Sequence, residues 1–230
     1  MRILVGQPVR EKGIAQITNE IVENSGVDMV IYPEGYLADE KALEGACELA
    51  KKYEVIIITS YLKDKKNRAI IIDSNGVKVL ERAKTLPQLE QELNEPLSVE
   101  CNEINIGYLL CMEILKGVRD LKKVKRAIDF IAHPIGVGMY SEEQLEQWIK
   151  EAKNIAKTYK TMVIGTSHAD GSYKNCGVSI PISYCIDSDG EPIYISKRDT
   201  RTRIIDINTK EYLIKLWFWL YSNSIFILYN

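Results

Sequence analysis

Arg2-Ile-Leu-Val-Gly6, Val27-Asp-Met-Val-Ile-Tyr32 and Val55-Ile-Ile-Ile-Thr59 are short runs dominated by aliphatic residues, and two helical stretches separate them. Such runs are too short for helices and read as buried strands. Between the first two, Ile14 to Glu23 carries apolar residues three and four apart. Between the second and third, a helix from about Asp39 to Lys52 sets Leu43, Ala46, Cys47 and Ala50 on one face. Strand, helix, strand, helix, strand predicts a layered α/β domain.

The pattern changes at Ala69–Asp73 and Val77–Leu80, which flank Ser74-Asn75-Gly76 and predict a hairpin with a type I′ turn. Antiparallel pairs therefore join the parallel ones in a mixed sheet. Thr85 to Glu103 shows no sustained strand signal and holds the acidic stretch QLEQELNEP after Pro87. A connection of this length is functional or hides a short helix. Beyond it, strand Ile104–Leu110, helix Ile114–Lys125, strand Ile128–Ala132, helix Glu142–Tyr159 and strand Met162–Thr166 repeat the alternation. A hairpin of Val178–Ile186 and Pro192–Ser196 and a last strand at Arg203–Ile207 follow. No Gly-, Pro- or Ser-rich boundary divides the chain, so residues 1–208 read as one domain, with 209–230 an apolar aromatic tail.

The 230 residues are ample for a buried core. Lys plus Arg total 30 against 32 Asp plus Glu, for a net charge of -2, so the basic surplus of a nucleic-acid binder is missing. Five cysteines (Cys47, Cys101, Cys111, Cys176, Cys185) leave at least one unpaired and form no CxxC; together with a start that lacks a signal peptide, they point to free thiols in a reducing cytoplasm. With only His133 and His168, a His-based zinc site or a Ser-His triad has few residues to draw on. No P-loop or GxGxxG is present, and no metal-ligand spacing, so no cofactor and no metal are expected.

Sites in α/β sheets form at the carboxyl ends of strands. There the sequence offers Glu34 after Val27–Tyr32, Lys84 after the first hairpin, and Cys111 after Ile104–Leu110. A free thiol is mostly protonated at neutral pH, so a nucleophilic Cys needs a base. A carboxylate in a closed site can serve, while an ammonium and the Met112 amide donate to an oxyanion. Singly, Cys111 reads as a core thiol, Glu34 as a turn residue and Lys84 as a solvated strand end; their shared placement at strand ends is what singles them out.

Tyr32-Pro33-Glu34, Arg82-Ala83-Lys84-Thr85-Leu86 and Gly107-Tyr-Leu-Leu-Cys111-Met112-Glu113 resemble the three motifs of the nitrilase, or carbon-nitrogen hydrolase, superfamily. The resemblance extends to Asp129-Phe-Ile-Ala-His133-Pro134, to Glu151–Gly165, to Gly177-Val-Ser179 and to Asp187-Ser-Asp-Gly190. It implies a four-layer αββα sandwich with mixed sheets, assembled as a homodimer or larger homo-oligomer. It also implies a Cys111 thioester, Glu34 as general base and Lys84 as oxyanion stabiliser, acting on a small amide, carbamoyl or nitrile compound. An accessory acid eight residues after the Lys would be Glu92, with Glu90 and Glu95 as competitors. Departures are Met112 for an aromatic residue, Glu113 for Asp, and His133 for the Asn of Asn-Pro; the last makes His133 a candidate substrate contact, with plain packing as the alternative. His168 reads as a loop residue.

The expected activity is that of an amidase on a small carboxamide or carbamoyl compound. Acyl transfer through the same thioester and a non-catalytic assembly subunit are the alternatives. For the tail, with Trp217, Phe218, Trp219 and Phe226, a subunit interface is preferred to docking on the same domain, and both to membrane contact.

Overall fold

The computed structural model describes residues 1–86, 91–171, 179–216 and 225–229. Among the described residues fourteen strands form two sheets. The first contains β1 (Arg2–Val5), β2 (Met29–Ile31), β3 (Ile56–Lys63), β4 (Lys66–Ile72), β5 (Lys78–Ala83), β12 (Arg203–Asp206), β13 (Tyr212–Leu216) and β14 (Ile225–Tyr229), in the order β14-β13-β12-β1-β2-β3-β4-β5. The second contains β6 (Ser98–Cys101), β7 (Ile104–Tyr108), β8 (Phe130–Pro134), β9 (Met162–Thr166), β10 (Ile182–Ile186) and β11 (Pro192–Lys197), in the order β11-β10-β9-β8-β7-β6. In each sheet three parallel strands, β1-β2-β3 or β7-β8-β9, continue into an antiparallel pair, β4-β5 or β10-β11.

Three apolar layers hold the sandwich. Ile3, Ile31, Ile58 and Ile71 of the first sheet face Ile106, Phe130, Ala132 and Ile164 of the second. The first sheet's other face is covered by α1 (Ala15–Glu23) and α2 (Glu40–Tyr53) through Ile17, Ile21, Leu43 and Ala46. The second is covered by α4 (Glu142–Tyr159) through Trp148, Ala152 and Ile155. The expected αββα sandwich with mixed sheets is what is observed. Because its parallel strands are buried on both faces, they read as continuous apolar runs rather than alternating ones. Asp39 and Ser141 cap α2 and α4, accepting from the Ala42 and Gln144 amides.

Several local expectations need correction. Gly76 has φ 79° but Asn75 is not left-handed, so the first hairpin closes with a single αL glycine and a shifted register instead of a type I′ turn, which needs two. Consecutive positive φ instead mark Asp64-Lys65, which joins β3 to β4, and Asn102-Glu103, between residues 98–101 and β7. Residues 98–101, where no strand was expected, form β6. The helix expected over Ile114–Lys125 is a 3₁₀ turn at Cys111–Lys116, one turn of α3 (Gly117–Asp120) and a second 3₁₀ turn. Gly117 sits so close to Ile155 and Leu109 that a Cβ there would lie 2.5 and 2.8 Å from their methyl carbons, so tertiary packing replaces helical regularity. The segment assigned to a tail adds β13 and β14 to the first sheet, paired antiparallel next to β12. Its residues 217–224, and with them Trp217, Phe218 and Trp219, lie outside the described residues, as do Glu90, Cys176, Gly177 and Val178. Among the described residues no helix is long and apolar enough to cross a membrane.

Candidate active site

The two reversals at β4 and β5 return β5 to the direction of β2, so both strands end on one side of the sandwich. The elbow after β7 opens on the same side, and Glu34, Lys84 and Cys111 all line a cavity of about 740 Å³. Met112, Asn67, Tyr36, Val137, Tyr140, Trp148 and His168 are among its other walls.

Glu34 is fixed by its backbone. Its N–H donates to the Ile135 carbonyl at 3.0 Å, and its own carbonyl accepts from His168 Nε2 at 3.0 Å. Gly35 follows at φ 73°, with its amide on Ser60 Oγ at 2.6 Å. The carboxylate, 5% exposed, accepts from Lys84 Nζ at 2.6 Å and from Asn67 Nδ2 at 2.7 Å through Oε1. Its charge also acts on the Cys111 thiol, which lines the same cavity.

These neighbours set the protonation of the pair. Burial, then the Glu34 charge, pushes the Cys111 thiol up to about 12, with Lys84 and the Gly136 amide pulling the other way. The resting group is therefore a thiol. Burial works against the Lys84 ammonium, but Cys111 when ionised and the charge and hydrogen bond of Glu34 outweigh it, and the Lys84 pKa is raised.

Cys111 stands at φ 54°, a left-handed conformation that costs a non-glycine residue about 1–2 kcal/mol. Its surroundings hold it there. Glu113 accepts from the Leu110 amide at 2.8 Å on one side, and His133 Nε2 lies 2.8 Å from the Cys111 carbonyl on the other. A carbonyl only accepts, so Nε2 carries the hydrogen and Nδ1 accepts from Tyr184 Oη. His133 is fully buried, and burial, partly offset by the bond to the Cys111 carbonyl, lowers its pKa to about 4.

His133 therefore stands behind the elbow and not in the cavity wall, and the expectation of a substrate contact gives way to a backbone contact with Cys111. Glu92 is not in the cavity wall either. Its side chain is 65% exposed and its carboxylate pairs with Lys123. The reason lies in the chain around it. Leu93 N–H donates to Asp120 and Asn94 N–H to Thr85 Oγ1, which buries Leu93 and turns its neighbour outward. Glu95, 66% exposed and 4.0 Å from the same lysine, also faces solvent.

Two site residues were missed. Asn67 lies at the amino end of β4, and an antiparallel strand brings that end beside the carboxyl ends of its neighbours, which a search of carboxyl ends passes over. His168 stands in the loop after β9, as expected, but it is buried, lines the cavity and holds the Glu34 carbonyl. Among the described residues no cluster of His, Cys, Asp or Glu is placed to hold a metal ion.

Solved structures share this arrangement of sheets and helices. The carbon-nitrogen hydrolase of Helicobacter pylori G27 superposes with a TM-score of 0.76 over 91% of this chain and 90% of that one, at 13% identity. The chain has the nitrilase fold. A mutant of the Nesterenkonia AN1 amidase from the nitrilase superfamily matches at TM-score 0.70 and 14% identity, over 90% of each chain. A CN-hydrolase superfamily protein of Xanthomonas campestris with an arsenic adduct in its active site matches at 0.68 and 15%, over 91% and 92%. At the level of sequence no protein-family model and no curated protein matches. What the likeness establishes is the nitrilase fold itself; the chemistry rests on the residues in the cavity.

Proposed function

We propose that the chain is a carbon-nitrogen hydrolase acting on a small carboxamide or carbamoyl compound through a thioester at Cys111. The observation that carries this is the Glu34 carboxylate, bonded to Lys84 Nζ and lining one cavity with Cys111, on whose thiol its charge acts.

Glu34 takes the thiol proton as sulfur attacks the amide carbon, which avoids a free thiolate in a site that disfavours one. The carbonyl oxygen gains the negative charge and receives hydrogen bonds from Lys84 and the Met112 N–H. Glu34 returns the proton to the amide nitrogen, the C–N bond breaks, and ammonia or an amine leaves. Water then gives a proton to Glu34 and attacks the thioester; the C–S bond breaks, the acid departs, and sulfur recovers the proton. Asn67 and the His168–Glu34 bond keep the carboxylate aimed through both halves. Assembly into a homo-oligomer belongs to the same proposal and is read by light scattering.

The test is ammonia release from a panel of small carboxamides and ureido compounds, with intact-mass detection of an acylated Cys111. Cys111→Ala should abolish turnover while keeping the circular dichroism of the wild type. Full activity in that variant sinks the mechanism. Transfer of the acyl group to added hydroxylamine without hydrolysis would assign an acyltransferase instead.

A further inference from the structure

The geometry points to His133 as a positioning residue that sets the oxyanion donor: by holding the Cys111 carbonyl into the core, it turns the Met112 N–H toward the cavity. The role of that donor rests on the reading above, but the placement does not. The Cys111 carbonyl and the Met112 N–H belong to one peptide group, which is planar and trans, so they point in opposite directions. His133 Nε2 takes the carbonyl at 2.8 Å from the buried side. The N–H is thereby aimed away from the core, where Cys111 and Met112 form the wall. Among the described residues nothing accepts a hydrogen bond from this N–H, as a donor reserved for a ligand requires.

The anchor is itself held. Tyr184 Oη donates to His133 Nδ1, which fixes the tautomer with hydrogen on Nε2. The Tyr184 ring lies against Gly165, where a Cβ would come within 2.5 Å of it. Gly165, Tyr184, His133 and the Cys111 peptide thus run as one line from β9 and β10 to the cavity. Without the anchor, the left-handed Cys111 is free to relax and its peptide to rotate.

Two reactions of the same sulfur separate this role from a structural one. Alkylation by iodoacetamide displaces iodide and builds no oxyanion. Acylation by p-nitrophenyl acetate passes through a tetrahedral oxyanion and releases p-nitrophenol in a burst. Removing one oxyanion donor costs about 10²–10³ in rate. Misaligning it in His133→Ala should slow acylation by roughly 10- to 100-fold, with alkylation of Cys111 at pH 9 within about threefold of wild type. His133→Asn, whose amide restores a donor, should recover part of the loss, and Tyr184→Phe should show a smaller selective loss. Equal losses in both reactions across these variants, or no loss in either, overturn the proposal. A wild type that is acylated but hydrolyses no amide refutes the amidase reading and leaves this inference standing. A wild type that is alkylated at Cys111 and never acylated refutes both.

Discussion

Arg82 and Glu113 meet as a bidentate ion pair, at 2.8 and 2.6 Å, with only 2% and 1% of their side chains exposed. The pair ties two parts of the site together. Glu113 also accepts from the amides of Thr85 and Leu110, neighbours of Lys84 and Cys111, and Arg82 reaches the carbonyls of Tyr108 and Pro96. Breaking a buried pair by removing one partner costs about 3–5 kcal/mol, because a charge is left without compensation. Arg82→Met should lower the unfolding free energy by about that amount in urea titrations. Arg82→Met with Glu113→Leu should lose less than the sum of the single changes, yet stay inactive, since two backbone amides have lost their acceptor. A double variant with wild-type turnover would contradict this account of the pair.

The Cys111 thiol gives a pH prediction. With its pKa pushed up to about 12 by burial and Glu34, the iodoacetamide rate at Cys111 should still be rising above pH 9. Glu34→Gln removes a raising charge and should shift the profile to lower pH. Lys84→Met removes a lowering one and should shift it higher. A wild-type plateau below pH 8 in a mass-mapped alkylation series counts against the arrangement.

Asn67 makes a separate prediction. A hydrogen bond to a charged group contributes about 1.5–3 kcal/mol, and the Asn67 amide holds Glu34 Oε1 at 2.7 Å. Asn67→Ala should lower the unfolding free energy by about 1.5–3 kcal/mol and, by freeing the carboxylate, reduce kcat roughly tenfold or more. Asn67→Asp sets a second carboxylate against Glu34 and should be worse than Ala. Steady-state kinetics on one amide checks the order.

His133 links the site to acid stability. Its folded pKa of about 4 lies below the ordinary 6.5, so the unfolded chain takes up a proton first as pH falls. The contribution is fully present above pH 6.5 and is lost as pH drops through the window to about 4. The two values differ enough to give roughly 3 kcal/mol. Unfolding free energies from urea titrations of wild type and His133→Asn, taken between pH 7 and 4, should converge by that amount; parallel curves would refute it.

The strands of the sandwich were legible because their buried faces leave long aliphatic runs, and α4 is found at the expected Glu142–Tyr159 because its apolar spacing and its Ser141 cap agree. Glu34, Lys84 and Cys111 were legible because each follows a strand at its carboxyl end. What escaped depends on distant partners. Glu92 was placed by counting from Lys84, but Asp120 and Thr85 decide which way that loop turns. Asn67 carries no local signal, because only the antiparallel return of β4 brings it to Glu34. The role of His133 depends on which end of a peptide it holds, and the order of residues along a chain does not encode that.

The left-handed backbone at Cys111 has a consequence for how this protein can change. Glycine or asparagine would rest there with less strain, so the variants that ease the fold most at this position are ones that discard the sulfur. A selection for heat resistance alone would push residue 111 toward Gly and produce a sturdier, inert relative. Persistence of cysteine in laboratory-evolved lineages then becomes a direct meter of whether turnover was being selected.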